Sequence, residues 1–257
     1  ADIYSDGLVE GVFGRTLKEI PGMRENILIA TKCGIRQKDD SKKGAPHRYD
    51  LSREHILRSC EASLRRMGVE CADLYQLHRP DYLMEPEEIA SAFEELKQAG
   101  KAREFGVSNF TVDQLNHLQA ACPMKLQCNQ VEISLIHRDT LEDSSLNHYR
   151  RQAVTPLAWS PLAQGKLGSE YPVTLRNPNH IQEQAVRDAL NLVAKEEECS
   201  RTTVALAWLM RHPAGIVPII GSTNPEHIRE ATKAADLQLS REKWYRLMEA
   251  AAGKPLP

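Results

Sequence analysis

Three side chains suited to proton transfer stand where short apolar runs end or a helical pattern begins. Lys32 closes the run Ile27–Lys32, His78 follows the run Ala72–Leu77, and Tyr4 stands just before the first helical pattern. Pro80, two residues beyond His78, cannot continue a central strand, so the run delivers its histidine to a strand end. A free tyrosine, with a pKa of about 10, is a weak acid at neutral pH. A neighbouring ammonium such as that of Lys32 would lower that pKa by favouring the phenolate. An imidazole beside both could hydrogen-bond a carbonyl oxygen and position it. Singly, each residue has an ordinary structural explanation: a terminal tyrosine, a solvated lysine, a histidine anchoring a loop. Their succession along consecutive strand–helix units is what points to carbonyl chemistry.

A second set of polar groups follows later strand-like runs. Ser108 and Asn109 follow Arg103–Val107, Gln130 lies in Leu126–Val131, and Trp159-Ser160 closes Val154–Trp159. Hydroxyl and amide groups suit a carboxamide, and an indole offers a flat face to an aromatic ring. Gly221-Ser222-Thr223-Asn224 precedes a helical pattern and could receive phosphate. No G-x-G-x-x-G follows a strand, so a dinucleotide would not be held in the Rossmann manner.

The elements that must position these groups alternate strand, helix, strand, helix. Helical spacing is expected over Asp6–Ile20, after a cap at Asp50 or Ser52 as far as Gly68, from Pro86 to Gly100, after Thr111, around Leu141–Gln152, over 181–197, 202–211 and 225–235, and from Ser240 to Ala251. Strands are expected at 27–32, 72–77, 103–107 (broken by Gly106), 126–131, 154–159 and 216–220. Ile35–Arg48 reads as a functional loop, and Ser169–His180 as a mobile polar stretch. This alternation argues for a parallel sheet with helices outside it, in which strand C-termini form the active face. Six strands are visible, two short of an eight-stranded barrel.

Bulk properties narrow the function. The 257 residues suit one barrel-sized domain; 41% are hydrophobic, 26% are charged, and the net charge is −2. There is no basic footprint for nucleic acid, no polybasic membrane patch and no apolar run near the roughly 18 residues of a membrane span. With no leader visible at Ala1-Asp2-Ile3-Tyr4, a cytoplasmic protein is expected. The six cysteines form no C-x-x-C pair and read as free thiols, and no His/Cys cluster has zinc spacing, so no metal site is expected.

Taken in order, Asp2-Ile3-Tyr4, Thr31-Lys32-Cys33-Gly34, Leu77–Asp81, Gly106–Phe110, Asn129–Glu132, Ala158–Leu162 and Pro218–Ser222 resemble the signature strands of the aldo-keto reductase superfamily over the whole length. The resemblance implies a (β/α)8 TIM-type barrel and NADP(H)-dependent reduction of a small aldehyde or ketone. It implies Tyr4 as general acid, Lys32 as the group lowering its pKa, and His78 as carbonyl orienter. It implies Ser108, Asn109 and Gln130 on the nicotinamide carboxamide and Trp159 on the ring. Ser160, Pro161, Leu162, Gln164, Gly165 and Lys166 would follow the pyrophosphate. Ile220, Gly221, Ser222, Thr223, Asn224, His227 and Glu230 would hold the adenosine end.

Two departures qualify that picture. The family's catalytic Asp lies five residues before the tyrosine, ahead of Ala1; Asp2 falls in the variable part of the motif. That Asp and the first two strands are expected in a segment upstream of this sequence, the other reading being a truncated form that lacks them. The slots where relatives often carry Arg or Lys for a 2′-phosphate hold Asn224 and His227, with Arg229 nearby, which leaves NAD(H) open beside NADP(H). The alternative reading is a catalytically weak NADP(H)-binding sensor or regulatory module on the same fold. A phosphate-binding barrel of another reaction class gives the ordered Tyr, Lys and His no role.

Overall fold

The structure is a computed structural model and describes residues 1–40, 42–171 and 181–256. It comprises two compact units, Ala1–Asn129 and Gln130–Pro257.

The first unit opens with a 3₁₀ turn, Tyr4–Gly7, leading into α1 (Leu8–Glu19). Three strands follow in parallel: β1 (Ala30–Cys33), then, beyond the short pair β2 (Ile35–Arg36) and β3 (Arg48–Tyr49), β4 (Ala72–Leu77) and β5 (Ala102–Ser108). Between them lie α2 (Arg53–Met67) and α3 (Pro86–Gln98); α4 (Val112–Ala121) and the start of β6 (Leu126–Glu132) complete the unit. Local chemistry explains the helix ends. Ser52 caps α2 by accepting from the His55 N–H, and Gly68 ends it in the left-handed region. Thr111 and Gln114 form a reciprocal capping box on α4.

β1 starts later than its apolar run suggests. The Ile29 N–H donates to the Asp73 carboxylate at 2.8 Å, and Arg24 and Arg103 pair with that carboxylate at 3.0 and 2.7 Å. The chain is thereby pinned below the strand; Ile27 and Leu28 lie outside it, and Leu28 is exposed. The stretch after Ile35 is not wholly loop: β2 and β3 pair antiparallel, Ile35 with Tyr49 and Arg36 with Arg48.

Register sets the interior. Lys32 stands opposite Gln76, and Gln76 opposite Gly106. The Gln76 amide donates to the Cys128 Sγ and the Val107 carbonyl, both at 3.4 Å. Gly106 does not break β5, as the sequence reading expected; it lets β5 pass close to its neighbour, since a Cβ there would stand 2.4 Å from the Cys128 Sγ. On the other face, Tyr75 donates to the Ile56 carbonyl at 3.1 Å, and Phe93 stacks on Phe105 with centroids 4.3 Å apart.

In the second unit, α5 (Asp139–Glu142) and α6 (Ser145–Gln152) stand where one helix was expected. β7 (Thr155–Trp159) pairs in parallel with β8 (Val217–Pro218). α7 (Ile181–Glu196), α8 (Arg201–Met210), α9 (Pro225–Thr232) and α10 (Arg241–Ala252) complete it. Trp208 and Trp244 stack at 5.1 Å, and each indole N–H donates to the other's carbonyl, at 3.2 and 3.0 Å, tying α8 to α10. Of the expected mobile stretch, residues 172–180 lie outside the described residues. No helix among the described residues is long and apolar enough to cross a membrane.

Gly106→Ala is expected to cost about 1–3 kcal/mol by overpacking against Cys128. In a Cys128→Ala background the cost should fall, because the sulfur is gone and only the Cys128 carbonyl oxygen, 3.0 Å from the added Cβ, still crowds it. Urea unfolding of the four proteins checks this; equal costs in both backgrounds would discard the explanation.

Candidate active site

The parallel strands of the first unit bring their C-terminal residues to one edge. Lys32 is the third residue of β1, His78 follows β4, and Ser108 ends β5. The His78 N–H donates to the Cys33 carbonyl at 2.8 Å, carrying the β1–β4 ladder one residue past the strand. Tyr4 arrives from the 3₁₀ turn. The Asp2 N–H donates to the Lys32 carbonyl at 3.1 Å, fixing the segment that carries Tyr4 against the end of β1. The Tyr4 and His78 rings meet edge to face, centroids 5.7 Å apart and planes at 79°. Half of Tyr4 remains exposed, whereas His78 is buried.

Burial and charge set the protonation states. His78 is pushed down to about 3, by burial first and then by the Lys32 and Arg79 charges, so its imidazole is neutral through the physiological range. Its Nδ1 is buried and has no hydrogen-bond partner among the described residues. Burial also lowers the Lys32 ammonium, against the opposing influence of Cys128 and Asp2. Burial raises the Asp2 carboxyl to about 6, with the Glu10 charge acting in the same direction.

One electrostatic expectation is corrected. The sequence suggested Lys32 as the cation that lowers the Tyr4 pKa. Burial instead raises that pKa, and the Arg79 charge opposes the rise. Partial desolvation of the phenolate outweighs the pull of that charge.

Ser108 and Asn109 form a joined pair. Asn109 has a φ of 61° and its amide turns back, donating to the Ser108 Oγ at 2.8 Å and to the His78 carbonyl at 3.3 Å. Ser108 is buried and Asn109 half-buried. The amide that could meet a carboxamide is therefore locked to the strand that carries His78.

The second unit gathers the remaining candidates in two segments. Gln130 is buried in β6, and Trp159, half-buried, ends β7. Ser160, Ala163 and Gln164 have positive φ, and the turn closes through Ala163 N–H to the Ser160 carbonyl (2.8 Å) and Gln164 N–H to the Ser160 Oγ (3.1 Å). Pro161 is buried, Leu162 half-buried, and Gly165 lies open at the turn; Lys166 is tied to Glu183 at 2.7 Å. Beyond β8, Ile220, Gly221 and Thr223 are exposed. Asn224 caps α9, accepting from the Glu226 N–H at 3.0 Å; the Ser222 Oγ accepts from the Asn224 N–H at 3.1 Å and lies 3.2 Å from the His227 Nδ1.

Ser169 joins the two segments: its hydroxyl donates to Glu230 at 2.6 Å and lies 2.9 Å from the Thr202 hydroxyl. Although burial pushes the Glu230 carboxyl up, hydrogen bonds from Ser169, Ser200 and Thr202 hold it below its ordinary value. Sequence reasoning missed Ser169, because a serine in a polar stretch carries no signal of its own. It also missed Arg79, in plain view beside His78, and the Glu10–Arg66 pair, whose members stand far apart in sequence.

The whole chain compares with known proteins in the same sense. The model of the Aldo/keto reductase family matches residues 1–252. The chain belongs to the aldo/keto reductase family. It is 40% identical to oxidoreductase YdhF of Escherichia coli, the match covering 100% of this chain and 83% of that protein. It is equally similar, at 40%, to a 6-dehydroglucose reductase of Novosphingobium aromaticivorans, over 100% of this chain and 81% of the relative. Among solved structures, the glycerol dehydrogenase AKR11B4 of Gluconobacter oxydans superposes with a TM-score of 0.87 at 26% identity, covering 100% of this chain and 81% of its own. The likeness assigns the α/β alternation to the (β/α)8 barrel fold. An aldo/keto reductase is a nicotinamide-dependent oxidoreductase, and that broad activity follows from membership.

The depressed His78 pKa has a consequence for stability. Above about pH 6.5 the imidazole is neutral in both folded and unfolded chains. Between 6.5 and 3 only the unfolded chain takes up the proton, so stability is lost as pH falls through that window. From pH 7 to pH 4, wild type should lose on the order of 2–3 kcal/mol more than His78→Gln, as read by urea unfolding. Parallel losses in the two proteins would show that His78 is not held neutral.

Proposed function

We propose that this chain reduces aldehydes or ketones to alcohols with NADPH, Tyr4 acting as the general acid. The observation that carries the reading is the edge-to-face meeting of the Tyr4 ring with a buried, neutral imidazole at the strand ends. Such an imidazole can orient a carbonyl oxygen without competing to protonate it.

The groups present fit a nicotinamide cofactor in their chemistry. Ser108, Asn109 and Gln130 offer hydroxyl and amide groups for the carboxamide, and the half-buried Trp159 offers a face for the ring. The turn Ser160–Lys166 would supply backbone for the pyrophosphate, and Ile220–Asn224 with His227 and Glu230 would receive the adenosine end. NADPH, when bound, supplies the hydride that adds to the carbonyl carbon. The protein's part is the other half of the reaction. His78 holds the carbonyl oxygen, Tyr4 Oη gives it a proton, and the Lys32 ammonium offsets the negative charge left on the phenol. Arg229, beside the Asn224 and His227 slots, is the candidate partner for a 2′-phosphate and would have to leave the Glu226 carboxylate it meets at 2.5 Å, so NADH stays open beside NADPH. We take the whole chain as part of one barrel domain. The relatives named for 6-dehydroglucose make oxidised sugars the first carbonyl compounds to test.

Nicotinamide absorbance in the presence of NADPH and a panel of aldehydes, ketones and oxidised sugars tests the reading. Tyr4→Phe should lose about 10²–10⁴-fold in kcat, and Lys32→Met at least about 10²-fold, with NADPH affinity little changed. Equal turnover by wild type and Tyr4→Phe would remove Tyr4 from the mechanism. Tight NADPH binding with no turnover on any carbonyl would select the nucleotide-sensing alternative.

A further inference from the structure

Glu10 is a carboxylate on α1 that is only 4% exposed, yet it lies outside the set Tyr4, Lys32 and His78. It is fully engaged. The Thr31 hydroxyl donates to its Oε1 at 2.5 Å, and Arg66 of α2 meets its Oε2 through Nε at 2.8 Å and a terminal nitrogen at 2.6 Å. Arg66 also donates to the Ser63 hydroxyl at 3.1 Å, which fixes its fork on α2.

A buried ion pair is weak evidence for stability, because desolvation cancels much of the attraction. What distinguishes this pair is where its ends lie. Thr31 directly precedes Lys32 on β1, and alternation along the strand puts the two side chains on opposite faces. Glu10 therefore grips β1 from behind the lysine. The Arg66 side chain lies directly beneath Gly7, three residues after Tyr4. A Cβ at Gly7 would stand 2.5 Å from the Arg66 Nε, and Gly7 has a φ of +83°, so the turn closes onto the guanidinium with no room for a side chain. The other end of the turn is tied through the Asp2 N–H to the Lys32 carbonyl.

From this we infer that Glu10, acting through Arg66 and Thr31, is a positioning residue that sets the Tyr4 turn against Lys32 at the end of β1. One carboxylate joins the strand that carries the lysine, the helix behind it and the floor of the turn that carries the tyrosine. Glu10→Gln keeps the size and an acceptor for Thr31 but removes the charge that orders the Arg66 fork. The turn then loses its floor, and the phenol drifts from its working position. An error of about an ångström in a reacting group is enough to cost up to about 10²-fold in rate.

The inference rests on the proposed carbonyl reduction, and the experiment separates the two. Full-length wild type, Glu10→Gln, Arg66→Lys, Tyr4→Phe and the Glu10→Gln/Tyr4→Phe double variant are compared under saturating NADPH with an active carbonyl substrate. Glu10→Gln should lower kcat about 10–100-fold, while KM for the carbonyl and Kd for NADPH stay within about twofold. Arg66→Lys, which keeps the charge without the fork, should fall between wild type and Glu10→Gln. In the Tyr4→Phe background, Glu10→Gln should cost less than about twofold more, because the aligned phenol is already absent. If Tyr4→Phe is as active as wild type, the proposed reaction fails. If Tyr4→Phe is crippled but Glu10→Gln turns over like wild type, or adds its full cost to Tyr4→Phe, the positioning role is overturned. Should Glu10→Gln not fold, Thr31→Val and Gly7→Ala take its place in the same cycle, with the same outcomes deciding.

Discussion

Parallel pairing in register is the constraint on which the first unit depends. Strands that run the same way end at the same edge, so a residue's distance from the strand end decides whether its side chain fills the interior or reaches the rim. Here the register puts Lys32, Gln76 and Gly106 at one level. Three side chains of ordinary size would overfill that level. Gly106 resolves the crowding by having none, which leaves room for the Cys128 sulfur and for the Gln76 amide that contacts it. The level above is then free for His78 and Ser108, the groups that face the rim. A shift of one residue in β1 would send Lys32 to the helix side and Thr31 to the interior.

The helices act on the site by tying strand ends rather than by touching it. Ser52 starts α2 where its far end brings Arg66 beneath the Tyr4 turn. α1 carries Glu10 to the back of β1. Asp73 holds the opposite end of β1 through the Ile29 N–H and the two arginines. The strand that bears Lys32 is thus held by a carboxylate at its start and by another behind its middle. Both contacts join residues far apart in sequence.

That separation explains how much could be read from the sequence. The strand-end series Lys32, His78, Ser108-Asn109 was legible because apolar runs and their punctuation are local signals. So were the caps at Ser52, Thr111 and Ser240, since a side-chain oxygen bonding a nearby N–H needs only the next few residues. The start of β1 was not legible, because Ile27 and Leu28 are apolar and only Asp73, 44 residues away from Ile29, excludes them. The β2–β3 pair was missed since two-residue strands carry no periodicity. Gly106 read as a breaker because its reason, the Cys128 sulfur, lies on another strand. The direction of the Tyr4 shift was misjudged for the same kind of reason: sequence names the charges, but burial, which outweighs them here, belongs to the fold.

The charge arrangement around His78 also bears on the division of labour in the proposed reaction. Lys32 and Arg79 both act on the imidazole, and with burial they make its protonated form costly. The positive charge of Arg79 acts on the Tyr4 phenol in the opposite chemical sense, favouring loss of its proton. Arg79 therefore disfavours the protonated histidine and partly offsets the burial that holds the proton on the tyrosine. A carboxylate in place of Arg79 would weaken both effects together: the imidazole would protonate more readily and the phenol would hold its proton more tightly. In the proposed reaction, the division between Tyr4 as proton donor and His78 as orienter would thus rest on burial together with the charges that the strand ends bring near them.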